Sequence, residues 1–228
     1  MRIIKIASIV IAVILILQIL AVGINILQNG PGKWDGRTVD EILGIETEKA
    51  TVADIEKLSK SDVMQLFFAA DSPVFINMKG EYKAKLVPVG IFYNVSEYYS
   101  HHFMGPGRWE AKCFYPIEER KGQGYNLFTV FDDGKSKSVR TLRMDTFVGP
   151  SKFDSKVSFH LVYKAYNKDK NESMCDEIRR INDNLYIGLG YLTWNLGTYN
   201  PTPFVLYGES AQWVGPDKTD NKITIENK

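Results

Sequence analysis

From Lys79 onward the chain is written in runs of about 7–11 residues rich in aromatic and β-branched side chains, separated by clusters of Gly, Pro, Asp and Asn. This texture leaves little choice of fold. β-Branched and aromatic side chains suit a pleated, half-buried strand, and the residues between the runs suit turns. It predicts strands near Gly80–Val87, Arg108–Phe114, Gly124–Phe131, Ser138–Phe147, Val157–Tyr166, Ser173–Ile181, Leu185–Trp194 and Phe204–Trp213. Asp132-Asp133-Gly134 and Asn182-Asp183-Asn184 are hairpin punctuation. In the fifth run Val157, Phe159, Leu161 and Tyr163 alternate with Ser158, His160 and Lys164, giving one buried face and one polar face. Sequential strands with short connections point to a mainly β fold, an antiparallel up-and-down barrel with no edge to protect. With about eight to ten strands, its interior holds side chains or one small ligand.

The other constraint lies at the N-terminus. Arg2 and Lys5 precede a stretch from Ile6 to Gly32 that carries no charge and is rich in Ile, Val and Leu. Ile6–Leu27 is long enough to cross a bilayer core and apolar on every face. The two cations place that end on the cytoplasmic side, so the remainder is expected across the membrane. Two readings stay open: an uncleaved anchor, giving a single-pass membrane protein, or a signal peptide cut near Ala21-Val22-Gly23, giving a secreted one. The expected organisation is an anchor or signal with linker over 1–32, a helical lead-in over 33–72 and a barrel domain over 73–228.

In the lead-in, Thr51 and Asp54 form a capping box before Ile55 and Leu58. Ser61 is expected to cap a helix over Asp62–Ala70, whose Val63, Leu66, Phe67 and Ala70 share one face. A further short helix is expected over Val95–Phe103. Without Arg2 and Lys5 the formal charge of +1 becomes −1, and no basic block exists, which disfavours a nucleic-acid partner. Cys113 and Cys175 allow one disulfide or two buried thiols on neighbouring strands. Asn94-Val95-Ser96 and Asn171-Glu172-Ser173 match the glycosylation acceptor pattern, and Asn171 sits in the more loop-like stretch.

Met78-Lys79-Gly80-Glu81-Tyr82-Lys83-Ala84 with Leu86-Val87-Pro88 resembles the Gly-X-Trp-X-Gly motif and trailing Leu-Pro of a family of uncharacterised small β-barrel proteins. Arg108-Trp109-Glu110-Ala111-Lys112-Cys113-Phe114 is similar to that family's next strand, after its short helix. Asp176-Glu177-Ile178-Arg179-Arg180-Ile181 with Gly188, and Pro203-Phe204-Val205-Leu206-Tyr207, are similar to its later strands. Tyr82 stands where the family has Trp, and Ala84 and Ala111 stand where it has Gly. The resemblance implies a calycin-like barrel, the superfamily of lipocalins and fatty-acid-binding proteins, and names no activity.

No catalytic signature is present. Adjacent His101 and His102 diverge on a helix, no paired Cys-X-X-Cys exists, and no metal or cofactor is expected. Gly208-Glu209-Ser210-Ala211-Gln212 lacks the last glycine of a nucleophile elbow. Arg143 with Asp145, and Glu177 with Arg179, each share one face of a strand; turned inward, either arginine would fork a ligand carboxylate. Tyr163 and Tyr191 are candidate lining residues, apolar with polar tips. The expected ligand-binding set is therefore Arg143, Tyr163, Glu177, Arg179 and Tyr191. The leading expectation is a membrane-tethered or secreted barrel that binds a small hydrophobic, lipid-like molecule without transforming it. The alternatives are an isomerase- or cyclase-type enzyme using Glu177 and Arg179, or a filled barrel that binds a protein through Val95–Phe103.

Overall fold

The computed structural model describes residues 2–194 and 196–218, so residues 219–228 of the expected barrel domain lie outside the described residues. A helix α1 (Arg2–Leu27) is followed by three short lead-in helices, α2 (Val39–Leu43), α3 (Val52–Ile55) and α4 (Lys60–Ala69). Then come β1 (Gly80–Leu86), α5 (Tyr93–His102), β2 (Arg108–Pro116), β3 (Lys121–Asp132), β4 (Lys135–Pro150), β5 (Val157–Val162), β6 (Met174–Asn182), β7 (Leu185–Leu192) and β8 (Thr202–Ala211). Each strand pairs antiparallel with the next, and β8 returns to β1, closing an eight-stranded barrel.

Local chemistry explains most boundaries. The Thr51–Asp54 capping box forms as expected, and Thr38 with Glu41 makes a second one at α2. At α4 the cap is Ser59 rather than the expected Ser61: the Ser59 hydroxyl accepts from Asp62 N, so the helix starts at Lys60. β5 ends at Val162, short of the expected Tyr166, because Tyr163 O accepts from Tyr166 N and Asn167 N and turns the chain. Gly80 opens β1 with φ +113°, and a Cβ there would lie 2.4 Å from Ala211 O, so only glycine lets β8 approach this closely.

The sheet is buried on both faces over part of its circumference. Inside, Tyr82, Phe114, Met144, Phe159, Ile178, Tyr186 and Leu206 form the core of one barrel half, with Phe75 and Met78 packed into it. Outside, Ile42, Ile55, Val63, Leu66 and Phe67 of the lead-in pack against Ile181, Ile187, Leu189 and Val205. The second face of β5 is not wet either: Ser158 and His160 are both buried. His160 stacks on Phe147 at 4.8 Å, and the Ser158 hydroxyl donates to Ile178 O.

Cys113 and Cys175 are free thiols on β2 and β6, not on neighbouring strands as expected. Burial pushes both thiols up, Cys175 to about 11. Asn94 is exposed in the first turn of α5, whereas Asn171 is half-buried with its Oδ1 sealed from solvent, reversing the expected order of the two acceptors.

Candidate functional site

A polar cluster divides the barrel interior. Lys112 Nζ on β2 lies 2.7 Å from Asp176 Oδ2 on β6 and donates to Tyr163 Oη at 2.7 Å and Asn126 Oδ1 at 3.3 Å. Tyr163 Oη donates to the same Asp176 oxygen and accepts from Asn126 Nδ2. Trp109 Nε1 donates to Asn126 Oδ1 at 3.0 Å. An ion pair of this kind survives burial only when further hydrogen bonds satisfy it, and here all three ammonium hydrogens are used. Burial raises the Tyr163 phenol well above its ordinary pKa, so it stays a donor and acceptor at neutral pH.

Above this floor lies a cavity of about 430 Å³, within the usual range for small-molecule pockets. Its walls are apolar: Leu86, Phe128, Leu142, Met174 and Phe204 from the strands, with Phe92, Val95 and Tyr99 from the α5 region. Val22 and Asn25 of α1 also line it, so the mouth opens beside the end of the long apolar helix. Leu142 reaches in from a strained backbone, φ +53°, next to a register shift between β3 and β4.

The last turn of α1 and the two residues after it are fixed to this mouth. Asn25 Nδ2 donates to Asn200 Oδ1, Asn29 Nδ2 to Tyr199 O, and Gln28 Oε1 accepts from Ile91 N. Lys60 Nζ, buried, donates to Asn25 O at 3.0 Å, placing a cation on a carbonyl at the helix C-terminus. Around the opening, Val95, Tyr98, Tyr99, Phe103, Trp194, Leu196 and Tyr199 are exposed.

The expected site residues divide. Tyr163 forms part of the polar floor, and Tyr191 lines the cavity although its ring packs on Phe153 outside the wall. Glu177 and Arg179 point outward, which corrects the expectation of an inward pair. Arg179, fully buried, grips Asp154 and donates to Phe67 O, while Glu177 Oε1 accepts from Lys152 N. Arg143 is also on the outer face, its guanidinium 4.4 Å from the Tyr166 ring centroid, and Asp145 accepts from Tyr166 Oη.

Reading the sequence for polar faces missed Trp109, Lys112, Asn126 and Asp176. A register shift between Trp109 and Ala111 turns both Trp109 and Lys112 inward, although three positions apart they should face opposite ways. The available signal was a polar residue in phase with apolar ones: Asp176 with Ile178, Asn126 with Phe128.

No family model and no curated protein matches the chain. Among solved structures, one described as "Crystal structure of protein from Thermomonospora curvata" is 14% identical, covers 64% of this chain and 84% of its own, and superposes with a TM-score of 0.42. A likeness at that level carries no argument, and the fold rests on its own strand pairing.

Proposed function

We propose that this chain is a membrane-tethered, calycin-like barrel that binds a small hydrophobic or lipid-like molecule without transforming it. The observation that carries the reading is the apolar cavity at one end of the barrel, lined in part by Val22 and Asn25 of α1. A filled barrel has no such space, and the pair on which an enzyme reading rested, Glu177 and Arg179, stands outside the wall.

Several features support a tether rather than a cut leader. The Asn25, Gln28 and Asn29 contacts depend on continued helix, and cleavage after Gly23 would leave too short a turn to hold it. Ile6–Leu20 is exposed on every side and finds its natural solvent in lipid. The exposed Tyr98, Tyr99, Trp194 and Tyr199 around the mouth suit the headgroup region, where aromatic rings concentrate. With Arg2 and Lys5 on the cytoplasmic side, the barrel sits on the opposite surface, its mouth against the bilayer from which a ligand enters.

The test is native mass spectrometry of the full chain, released from nanodiscs after purification from cells making their own lipids. A stoichiometric adduct held through release, then identified by extraction, supports the reading. Bare protein that also takes up none of a panel of fatty alcohols, fatty acids, sterols and terpenoids overturns it.

A further inference from the structure

The floor of the cavity states what the deep end of a ligand must be. Lys112 has no hydrogen left to offer, Trp109 Nε1 donates to Asn126 Oδ1, Asn126 gives one of its two amide hydrogens to Tyr163 Oη, and neither Arg143 nor Arg179 reaches the interior. Beside the second Asn126 amide hydrogen, what the floor has to spare is a carboxylate acceptor. Asp176 is 4% exposed and uses Oδ2 for both Lys112 and Tyr163, while no donor among the described residues reaches its Oδ1.

That oxygen is kept accessible by an absent side chain. Gly190 pairs with Asp176 across β6 and β7, faces the same cavity, and a Cβ on it would stand 2.8 Å from Oδ1. We infer that the deep end of the pocket takes a hydrogen-bond-donating group, a hydroxyl or primary amine, at Asp176 Oδ1, with the hydrocarbon of the ligand running out toward the mouth. This rests on the pocket reading proposed above and narrows it to amphipathic alcohols and amines. A hydrocarbon tail inserted first would strip water from Oδ1 without replacing its partner, and a carboxylate inserted first would face like charge. The orientation is thus the reverse of one built on an arginine fork.

The full chain in nanodiscs, offered 1-decanol, decylamine, decanoate and decyl methyl ether at equal concentration, provides the test, with bound ligand counted by native mass spectrometry. Decanol and decylamine are expected to occupy the protein about tenfold more tightly than the acid or the ether, the worth of one well-placed bond to a charged acceptor. Gly190→Ala, which crowds Oδ1 and leaves the apolar walls alone, is expected to erase that preference while still admitting the ether. The same nanodiscs with the variant control for partitioning into lipid. Decanoate or the ether binding as well as the alcohol, or a preference that survives Gly190→Ala, overturns this inference and leaves the pocket reading standing. Uptake of none of the four overturns this inference, and only failure of the sterols and terpenoids as well overturns the pocket reading.

Discussion

Lys112 of β2 and Asp176 of β6 meet at 2.7 Å across the full width of the barrel, with side chains only 5% and 4% exposed. The two strands lie diametrically opposite in the eight-stranded ring, so this contact braces walls that share no backbone hydrogen bond. It also separates a half filled by Tyr82, Phe114 and Phe159 from a half left open. Packing and binding thus meet at one pair.

Breaking the brace on one side should cost more than removing it. Lys112→Met leaves Asp176 buried without its cation, and Asp176→Leu leaves the ammonium stranded; each is expected to destabilise the chain by about 3–5 kcal/mol. The double variant removes both charges from an apolar surround and should recover most of that loss. Chemical denaturation of the four proteins in one detergent measures the cycle. Losses that simply add would show that the two side chains do not act as a pair.

Arg179 gives a contrasting expectation, since it holds the lead-in rather than a ligand. Its guanidinium and the Lys156 ammonium donate to Phe67 O, Phe68 O, Ala69 O and Ala70 O, supplying the end of α4 with cations and donors. Arg179→Met should cost about 3 kcal/mol or more by stranding Asp154 and the Phe67 carbonyl, since Lys156 still serves the other three. Amide exchange should quicken in residues 38–70 first, and ligand occupancy of the still-folded protein should not change. A variant that loses ligand while its lead-in stays protected would return Arg179 to the site.

The same pair sets an acid limit. Burial works against the Asp154 carboxylate, but the hydrogen bonds and charge of Arg179 outweigh it and hold the pKa below the ordinary value. The folded state therefore binds this proton less readily than the unfolded chain. Its contribution is fully present above the unfolded value, about 3.9, and is lost as pH falls through the lower folded value. Wild type should lose stability over that acid range more steeply than an Arg179→Met/Asp154→Leu double variant, measured by denaturation at pH intervals. Equal slopes would refute the linkage.

How far the sequence revealed this molecule depends on which face of the sheet is asked about. The eight strands, their order and the apolar N-terminal helix follow from local composition and turn residues, and Gly80 and Thr51 mark their places by chemistry any chain would use. The inward set was harder. On β6, Glu177 and Arg179 alternate with Asp176 and Ile178, and all four are buried, Asp176 and Ile178 within the barrel and Arg179 under the lead-in. Alternation then has no dry side to announce itself. On β2 the register shift breaks the alternation itself, hiding Lys112. Only the tertiary layer of α2 to α4 resolves the first, and only the pairing resolves the second.

Lys60 ties the barrel to α1 and should leave a signature in mild alkali. Burial lowers its pKa from 10.5 to about 8, so the folded protein releases this proton before the unfolded chain does. With fewer protons bound in the folded state, stability rises with pH above 8 on account of Lys60. The thiols act in the opposite sense. Cys113 and Cys175 keep protons that the unfolded chain loses near the ordinary thiol value, so their stabilisation falls away above about pH 9. The net expectation is a shallow maximum near pH 9, seen as a higher denaturation midpoint for the full chain in a non-ionic detergent at about pH 8.8 than at about 7.5. Lys60→Met should lack the rise and keep the fall. A rise that persists in that variant would mean another group titrates there and that Lys60 carries its ordinary charge against Asn25 O.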